Sequence, residues 1–366
     1  MKKMRKSFFL MICVLLFAVT AYGQGNHPAV RQFTIVSPYK DVNWATFGQF
    51  KAALHVHTSR SDGADTLASV IEEHYTKGYD ILAITDHNVL NTDWTSGDNA
   101  LSKRRYRQIS SGRGRKGRGM LRIPNTNEQS RSDHVNTFLA GFNNTSGRTL
   151  QQNIQDAHNL GGISRINHPG RSTGNNANHD TWIDTYVELY MDFPSLVGME
   201  IINQRDRYPN DRILWDNILM QTAPQGRYVW GFSDDDTHSN SATGFSWNMF
   251  VMAKNTVDNF RTAMLNGSFY AVARTAKQEL GQNFSFDGPA PYIRNIQVDE
   301  QNASITITAD HTSVIVWISN GIDIATGATI MLDVHKDNLG SYIRANIIGP
   351  GGIAFLQPFG IIPATP

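Results

Sequence analysis

Three features are scarce in this sequence of 366 residues: cysteine, net charge, and apolar runs long enough to cross a membrane. Cys13 is the only cysteine, and it lies inside an N-terminal apolar run. Removal of that run would leave a chain without a thiol, which excludes disulfide bonds and thiolate ligands, so a metal site would use nitrogen and oxygen donors. The 33 basic and 32 acidic residues give a net charge of +1. That balance favours neither nucleic acid nor a membrane surface as the main partner.

The first 23 residues have the pattern of a secretory signal peptide. Four basic residues precede the apolar run Phe8–Val19, and Ala21-Tyr22-Gly23 supplies small residues for cleavage. The run is shorter than a typical transmembrane helix. Cleavage after Gly23 would remove four basic and no acidic residues and change the net charge to −3. We therefore expect a periplasmic or secreted protein with no membrane span.

The composition changes near residue 285, which indicates a domain boundary. Before it, apolar strand-like runs alternate with helix-like runs, as in α/β proteins with several parallel strands. After Pro289-Ala-Pro291 the helical periods disappear, and short alternating runs are separated by turn residues. We predict an α/β domain at 24–285 and a small immunoglobulin-like β-sandwich at 286–366.

Five residues with metal-binding side chains lie within 33 positions in the order His55-x-His57, Asp62 and Asp86-His87. Successive strand side chains point to opposite faces, so His55 and His57 are expected on one face, about 6–7 Å apart. The turn 59–63 leaves Asp62 free to point inward. A predicted helix at 66–77 and a buried strand at 79–85 follow, and the strand ends just before His87.

The other polar residues of interest also fall at or just after predicted strand ends, where sites assemble in α/β folds. They are Glu128, His134, His168, Asp236 and His238. Because four or more strands contribute, and one ion rarely needs so many ligands, a cluster of two or three metal ions is favoured.

Four segments in this order, LHVHTSRSDG, ITDHN, INHPG and FSDDDTH, resemble the polymerase and histidinol phosphatase (PHP) family. The resemblance spans residues 50 to about 285. It implies a distorted seven-stranded β/α barrel, similar to a TIM barrel, with two or three divalent ions (zinc, manganese or iron) at the carboxyl ends of its strands. It also implies hydrolysis, most often of phosphate esters, by a hydroxide that bridges the metals.

The resemblance assigns a role to each matching position. His55 and His57 would hold one ion together with Glu128 and Asp236. Glu128 would bridge to a second ion held by His134 and His168, and a third would be held by Asp62, His87 and His238. Glu128, Asp236 and His238 are the predicted catalytic residues.

Several further residues are predicted to support these ligands or bind the substrate. Asparagines stand where the family has a glycine before the bridging glutamate, which makes Glu200 a rival to Glu128, although we place Glu200 in the wall. Asp86 is expected to orient a ligating imidazole. Asp235 is expected to be a supporting or capping group beside Asp236.

Arg171 and Asn203 are expected to bind the substrate. For Arg171 the reason is that a guanidinium suits bidentate contact with phosphate or carboxylate. A surface salt bridge is the alternative for Arg171.

The basic segment from Lys103 to Arg118 contains eight Lys or Arg residues. It is expected to be a mobile, solvated insertion, and the alternative is a lid that supplies cations to the substrate. Five other histidines are expected to have no metal role: His74, His158, His179, His311 and His335.

Three functions remain open from the sequence. The first is a metal-dependent phosphoesterase acting on a small, anionic ester. The second is a metallohydrolase of carboxyl or carbamate esters, because one branch of the family resembles this chain in its TDHN and NHPGR segments and its double aspartate. The third is a non-catalytic binding protein with a structural metal site, which the complete ligand set disfavours.

Overall fold

A computed structural model describes residues 33–143 and 147–364, which form a mixed α/β fold. The predicted signal peptide at 1–23 lies outside these residues. The strands are β1 Phe33–Val36, β2 Gly48–Ala53, β3 Ile81–Leu82, β4 Leu121–Arg122, β5 Asn127–Gln129, β6 Val135–Phe138, β7 Ile163–Ile166, β8 Leu196–Asn203, β9 Trp230–Asp234, β10 Ser246–Met252, β11 Phe269–Ala273, β12 Tyr292–Asp299, β13 Ser304–Asp310, β14 Val314–Ser319, β15 Ile322–Thr326, β16 Thr329–Met331, β17 Tyr342–Gly349, β18 Gly352–Leu356 and β19 Phe359–Pro363. The α-helices are α1 Leu67–Thr76, α2 Lys103–Ser110, α3 Leu150–Asn159, α4 Gly170–Thr173, α5 Asp180–Asp192, α6 Asp211–Thr222 and α7 Val257–Asn266. Short 3-10 helices lie at Ala223–Gln225, Asn240–Ala242, Leu332–Val334 and Lys336–Asn338. No helix in the described part of the chain has the length and apolarity needed to cross a membrane.

Helix α1 shows how local sequence sets the predicted elements. The side chain of Thr66 accepts a hydrogen bond from the backbone N–H of Ser69 and so satisfies one donor that the first turn leaves unpaired. Gly78 adopts φ +81° just past the last turn, a conformation that glycine reaches without a Cβ clash. The helix therefore begins and ends within one residue of the predicted span, and its buried face includes Leu67, Val70 and Ile71.

The α/β class is confirmed, but the sheets are open and form no clear closed barrel. One sheet runs β5-β6-β7-β8-β9, and β2, β3 and β4 belong to a separate eleven-stranded sheet. The β7-β8-β9 and β2-β3-β4 pairs are parallel, whereas β5-β6-β7 and β2-β10-β11 are antiparallel. Isolated bridges link the two sheets near the polar strand ends: Val56 with Thr237, His87 with Glu128 and Asn91 with Thr126. Strands β3 and β4 have only two residues each, too few for a continuous ladder between the sheets.

The segment after residue 285 is rich in strands, as expected, and eight of the 19 described strands lie in it. Strands β12, β13 and β16 make a small sheet of their own, whereas β18 pairs with β11 and β19 pairs with β1. The division into an α/β domain at 24–285 and a β-sandwich at 286–366 stays a prediction. The pairing of β18 with β11 joins strands from both sides of that boundary in one sheet.

Candidate metal centre

All nine residues predicted to bind metal lie around one cleft. His55 and His57 follow β2, His87 follows β3, His168 follows β7, and Asp236 and His238 follow β9, so the carboxyl ends of these strands supply most of the site. Glu128 lies within β5, and His134 directly precedes β6. Asp62 comes from the turn after the two histidines. Their roles as ligands stay predictions, but their proximity is a property of the fold.

The segment with the two first histidines is held differently from the expected strand. Strand β2 ends at Ala53, so His55 and His57 lie beyond it. The N–H of His57 donates to the carbonyl of Thr237 at 2.8 Å, and the N–H of Thr237 donates to the carbonyl of His55 at 3.2 Å. The loop pairing brings the two rings to a centroid distance of 5.1 Å.

Gly63 explains the sharp turn that presents Asp62. Its N–H donates to the carbonyl of Thr58 at 3.0 Å. A Cβ at this position would lie 2.8 Å from the backbone of His57 and Thr58, a distance that side-chain atoms do not adopt. Only glycine lets the chain fold back this closely, so Gly63 is a structural requirement of the turn that presents Asp62.

The backbone is strained at two of the predicted ligands. His168 has φ +26° and Asp236 has φ +46°, and Gln204, which lines the same cleft, has φ +55°. Non-glycine residues rarely adopt such angles, and they cost on the order of 1–3 kcal/mol where surrounding structure maintains them. Strain of this kind concentrates at functional sites.

Glu128 lies at the centre of the cleft and is fully buried. Its carboxylate is 2.7 Å from Nδ1 of His87, 2.9 Å from Nδ1 of His134, 3.2 Å from Nε2 of His55 and 3.4 Å from Nε2 of His168. Burial alone would raise the pKa of Glu128, but the charge of His55 and hydrogen bonds from the neighbouring imidazoles hold it well below its ordinary value. An ionised carboxylate among four imidazoles can bridge metal ions.

Asp236 and Asp62 complete the acidic part of the cleft. One oxygen of Asp236 is 3.3 Å from Nε2 of His55 and 3.2 Å from Nε2 of His57. Burial would raise the pKa of Asp236, yet the charges of His55, His57 and His168 lower it far below its usual range. At the mouth, Asp62 lies 3.4 Å from His87 and 3.3 Å from His238.

The donor atoms of this cluster fit divalent metal ions. Six buried nitrogen or oxygen atoms make no well-aligned hydrogen bond, even where a neighbouring ligand atom lies close, as Oε2 of Glu128 does to Nδ1 of His87 at 2.7 Å: Nε2 of His55, Nδ1 and Nε2 of His57, Nδ1 of His87, Oε2 of Glu128 and Oδ1 of Asp236. Buried polar atoms are nearly always paired, because leaving them unpaired costs several kcal/mol. Imidazole and carboxylate donors that lack well-aligned partners and face one cleft are ligands of the kind that zinc, manganese or iron accept.

Ligand atoms within 4.8 Å of one another fall into four overlapping groups. They are His57, Asp62, His87 and His238; His55, His168 and Asp236; His55, His57 and Glu128; and His87, Glu128 and His134. The first group contains the predicted third set, with His57 added. The groups separate His134 from His168, which were predicted to share one ion.

Glu200 lies behind the cleft, in the wall position that was predicted for it. Its Oε1 is 2.7 Å from Nδ1 of His55 and accepts a hydrogen bond at 3.0 Å from Arg165, and its Oε2 accepts from the N–H of His168 at 2.8 Å. Arg165 is fully buried and also contacts Asp234. Arg165 was not predicted from the sequence, where its only signal was a charge inside the apolar run of β7.

The hydrogen bonds of Asp86 and Asp235 are not those of a carboxylate that orients an imidazole. Asp86 accepts hydrogen bonds from the backbone N–H and hydroxyl of Thr58 and from Ser61, so it fixes the turn rather than a histidine ring. Asp235 accepts from the N–H groups of residues 244–246 and acts as a cap, one of the two roles expected. Burial raises the pKa of Asp235 to about 7 despite these bonds.

The cleft opens into a cavity of about 260 Å³ that borders seven of the nine predicted ligands. Arg171 and Asn203 line it, as predicted for substrate-binding residues, and Arg171 contacts His134. Nδ2 of Asn203 donates to Glu200 at 3.1 Å and to Asp236 at 3.3 Å. Three further lining residues follow β8 and were not predicted from the sequence: Gln204, Arg207 and Tyr208.

The basic segment is neither an unpaired solvated insertion nor a lid over the cleft. Its first half is α2, and Arg115 and Arg118 each form an ion pair with the buried Asp80, at 2.8 and 2.7 Å. Asp80 precedes β3, whereas His87 follows it, so this anchor lies at the opposite end of the strand from the cleft. The carboxylate of Asp80 holds Arg115 and Arg118 in place, and the composition of 103–118 does not reveal this partner.

His74, one of the histidines expected to have no metal role, is fully buried in α1, and its Nδ1 lies 2.8 Å from the carbonyl of Val70. Burial lowers its pKa to about 4.

No protein-family model and no curated protein matches this chain. Solved structures that are similar to it include a two-domain protein from Bacteroides vulgatus that contains a predicted PHP-like metal-dependent phosphoesterase, with 14% identity over 88% of this chain and 89% of that one and a TM-score of 0.49. The lesion-specific endonuclease PfuEndoQ from Pyrococcus furiosus is 15% identical over 60% of this chain and 56% of its own, with a TM-score of 0.36. An amidohydrolase from Chromobacterium violaceum with bound sulfate is 15% identical over 51% of this chain and 87% of its own, with a TM-score of 0.34. At these scores the functional interpretation rests on the site itself.

Proposed function

We propose that this protein is a metal-dependent hydrolase, and specifically a phosphoesterase acting on small anionic esters. One observation carries the proposal: nine histidine and carboxylate side chains surround a cleft in which six buried donor atoms make no well-aligned hydrogen bond, and the cleft opens to a cavity. A purely structural ion would need only a closed set of about four ligands. The excess of ligands and the open cavity together favour catalysis.

Divalent ions bound here would lower the pKa of a water molecule and neutralise negative charge that develops on the ester. His55, His57, Glu128 and Asp236 would hold the inner ions, and Asp62, His87 and His238 the outermost. The chain's own contribution is to fix these groups before the substrate binds. Asn203 holds the carboxylate of Asp236 in place, while Glu200 orients His55.

The cations at the cavity favour an anionic ester over a neutral one. Arg171 and Arg207 both line it, and neither has a carboxylate partner among the described residues. A guanidinium binds the oxygens of a phosphate through paired, charge-assisted N–H groups. Its interaction with a neutral carboxyl ester is weaker, because that ester carries no charge. With the predicted signal peptide, we propose that the reaction takes place in the periplasm or outside the cell.

The test is hydrolysis by chelator-treated protein reloaded with zinc or manganese. The substrates are p-nitrophenyl phosphate, bis(p-nitrophenyl) phosphate and p-nitrophenyl acetate, which share one leaving group. We expect phosphate-ester turnover that disappears when the metal is removed. Asp236→Asn should lower kcat/KM by at least about 100-fold, because losses of 10- to 100-fold are typical even of residues that only support ligands. Asp258→Asn, an exposed aspartate in the first turn of α7, is the matched control.

The two other outcomes have distinct meanings. Turnover of the acetate alone, abolished by Asp236→Asn, would place the chain among carboxyl-ester hydrolases and reject the phosphoesterase proposal. No turnover of any substrate by protein that binds metal stoichiometrically would favour a binding protein.

A further inference from the structure

A second cavity, of about 480 Å³, adjoins the cleft. It shares four lining residues with the metal cavity: Gln204, Arg207, Asp236 and His238. The remaining lining residues are Arg205, Asp235, Ser241 and Ala242. A ligand with its reacting group at the metal cluster would therefore have room to extend into this space.

Arg205 is exposed, and its guanidinium lies over the ring of Phe245 at 3.8 Å from the ring centre. Stacking on an aromatic face limits the orientations of the guanidinium but leaves its N–H edges free. The platform is itself fixed, because the N–H of Phe245 donates to Asp235 at 3.0 Å. The donors of Arg205 are thus oriented before a ligand arrives.

Arg207 is the second cation of this cavity. It is exposed, and its guanidinium lies 5.4 Å from the ring centre of Tyr208. Within the described residues, neither Arg205 nor Arg207 forms an ion pair, although two aspartates line the same space.

Those aspartates are already engaged. Asp235 accepts three backbone N–H bonds, and Asp236 faces His55 and His57 and accepts bonds from Asn203 and Gln204. Their geometry leaves the two guanidinium groups available to another anion. A pair of exposed arginines on an ordinary surface would carry no such implication, but these two border the cavity that continues from the cleft.

We propose that this second cavity, hereafter the distal pocket, binds a second anionic group of the substrate, so that the preferred substrates are small esters with a phosphate or carboxylate at the end remote from the scissile bond. This inference rests on the proposed hydrolase function for the role of the cleft. The binding property of the distal pocket can be measured without turnover.

The binding experiment uses non-hydrolysable ligands that differ only at one end: hexylphosphonate, 6-phosphonohexanoate and hexane-1,6-bisphosphonate. Their Kd values for metal-loaded protein are measured by calorimetry, with propane-1,3-bisphosphonate as a shorter linker. We expect at least one ligand with an anionic group at both ends to bind about tenfold more tightly than hexylphosphonate. One additional charge-assisted hydrogen bond provides a gain in affinity of about this size. Comparison of the carboxylate and phosphonate ligands identifies which anion the distal pocket prefers.

Arg205→Gln should lower this ratio of Kd values several-fold, because Arg205 lines only the distal pocket, and Arg207 remains there as the second cation. Arg104→Gln, an exposed arginine on α2, should retain the ratio of the wild type. Equal Kd values for singly and doubly anionic ligands in the wild type would overturn the proposal. So would an unchanged ratio in Arg205→Gln.

Turnover separates this inference from the proposed function. The monophosphate and bisphosphate esters of hexane-1,6-diol are compared by phosphate release. A preference in both Kd and kcat/KM for the doubly anionic compound supports both proposals. A preference in Kd with no release from any ester would leave the distal pocket supported and reject the phosphoesterase. Release from both esters at equal kcat/KM, with equal Kd values for the phosphonates, would support the phosphoesterase and reject the distal pocket as an anion site.

Discussion

At the scale of single residues, the contact between Glu200 and His55 supports the candidate metal centre directly. Both side chains are fully buried, and Oε1 of Glu200 is 2.7 Å from Nδ1 of His55. A carboxylate at Nδ1 keeps the proton on that nitrogen and turns the lone pair of Nε2 toward the cleft. Arg165 holds the carboxylate from behind, so the orientation of His55 is fixed before metal binds.

Glu200→Gln keeps the shape of the side chain and removes its charge. We expect metal affinity to fall by about 10- to 100-fold, the range found when a group behind a ligating histidine is changed. Competition with a chromophoric chelator measures this directly, and Glu188→Gln on α5 controls for the substitution itself. If both variants keep the wild-type affinity, Glu200 contributes packing alone.

The residues that the sequence predicted and those it missed differ in a physical respect. His55, His57, His87, His168 and Asp236 could be found because ligands recur at fixed spacings next to strand ends. Arg165 and Arg207 could not, because a positioning or anion-binding residue needs only a neighbour in space, which spacing along the chain does not reveal. Asp86 was expected to orient an imidazole because ligating histidines usually need such a group, yet its hydrogen-bond partners are Thr58, Ser61 and Asn91.

At the scale of elements, the basic segment with α2 shows how one buried charge organises a polar stretch. Asp80 is 1% exposed and accepts hydrogen bonds from Arg115, Arg118 and the N–H of Lys51. The rings of Tyr75 and Phe50 lie beneath Arg115 and Arg118. The segment is therefore a structural clamp at the amino end of β3.

Asp80→Asn should destabilise the fold by about 2 kcal/mol, less than for a fully buried pair because Arg118 is half exposed. It should also speed tryptic cleavage within 103–118. Urea unfolding and timed proteolysis measure the two effects, and Asp93→Asn, which loses one partly exposed pair with Arg122, should cost under about 1 kcal/mol. If the segment were a lid instead, Asp80→Asn would change the KM for a phosphate ester, while tryptic cleavage within 103–118 stayed at the wild-type rate.

The order of helices and strands followed from local patterns, whereas their pairing did not. The period of apolar residues located α1 to within one residue at each end. The same patterns cannot tell that β2 pairs antiparallel with β10 on one side and parallel with β3 on the other. Partner choice depends on contacts between residues far apart in sequence, so the open sheets could be found only in the structure.

At the scale of the whole molecule, the C-terminal strands are built into the sheets that carry the site. Strand β18 lies inside the large sheet, where it pairs with β11 on one side and with β17 on the other. Gln357, just past β18, is fully buried, and its side-chain amide makes two hydrogen bonds of 2.8 Å with the backbone of Gly231 in β9. Strand β9 leads directly to Asp236, so the strands between residues 286 and 364 support the strand that precedes a predicted metal ligand.

A buried ion pair makes the same connection between α6 and β17. Arg344 donates two hydrogen bonds to Asp216, at 2.8 and 2.6 Å, and the hydroxyl of Tyr342 donates a third at 2.8 Å. Removal of the C-terminal strands would leave the carboxylate of Asp216 buried without its partners and expose the apolar edge of β11. Both changes carry a large cost in free energy.

We therefore expect residues 33–364 to unfold in one calorimetric transition, with a calorimetric enthalpy equal to the van't Hoff enthalpy. A chain that ends at residue 285 should lack cooperative unfolding and bind metal weakly, because β9 and β11 have lost their neighbours. Asp216→Asn in the full chain should lower the single Tm without splitting the transition, while Asp258→Asn leaves it in place. Two separate transitions, with a truncated chain that still folds and binds metal, would instead establish the boundary near residue 285 as one between independent domains.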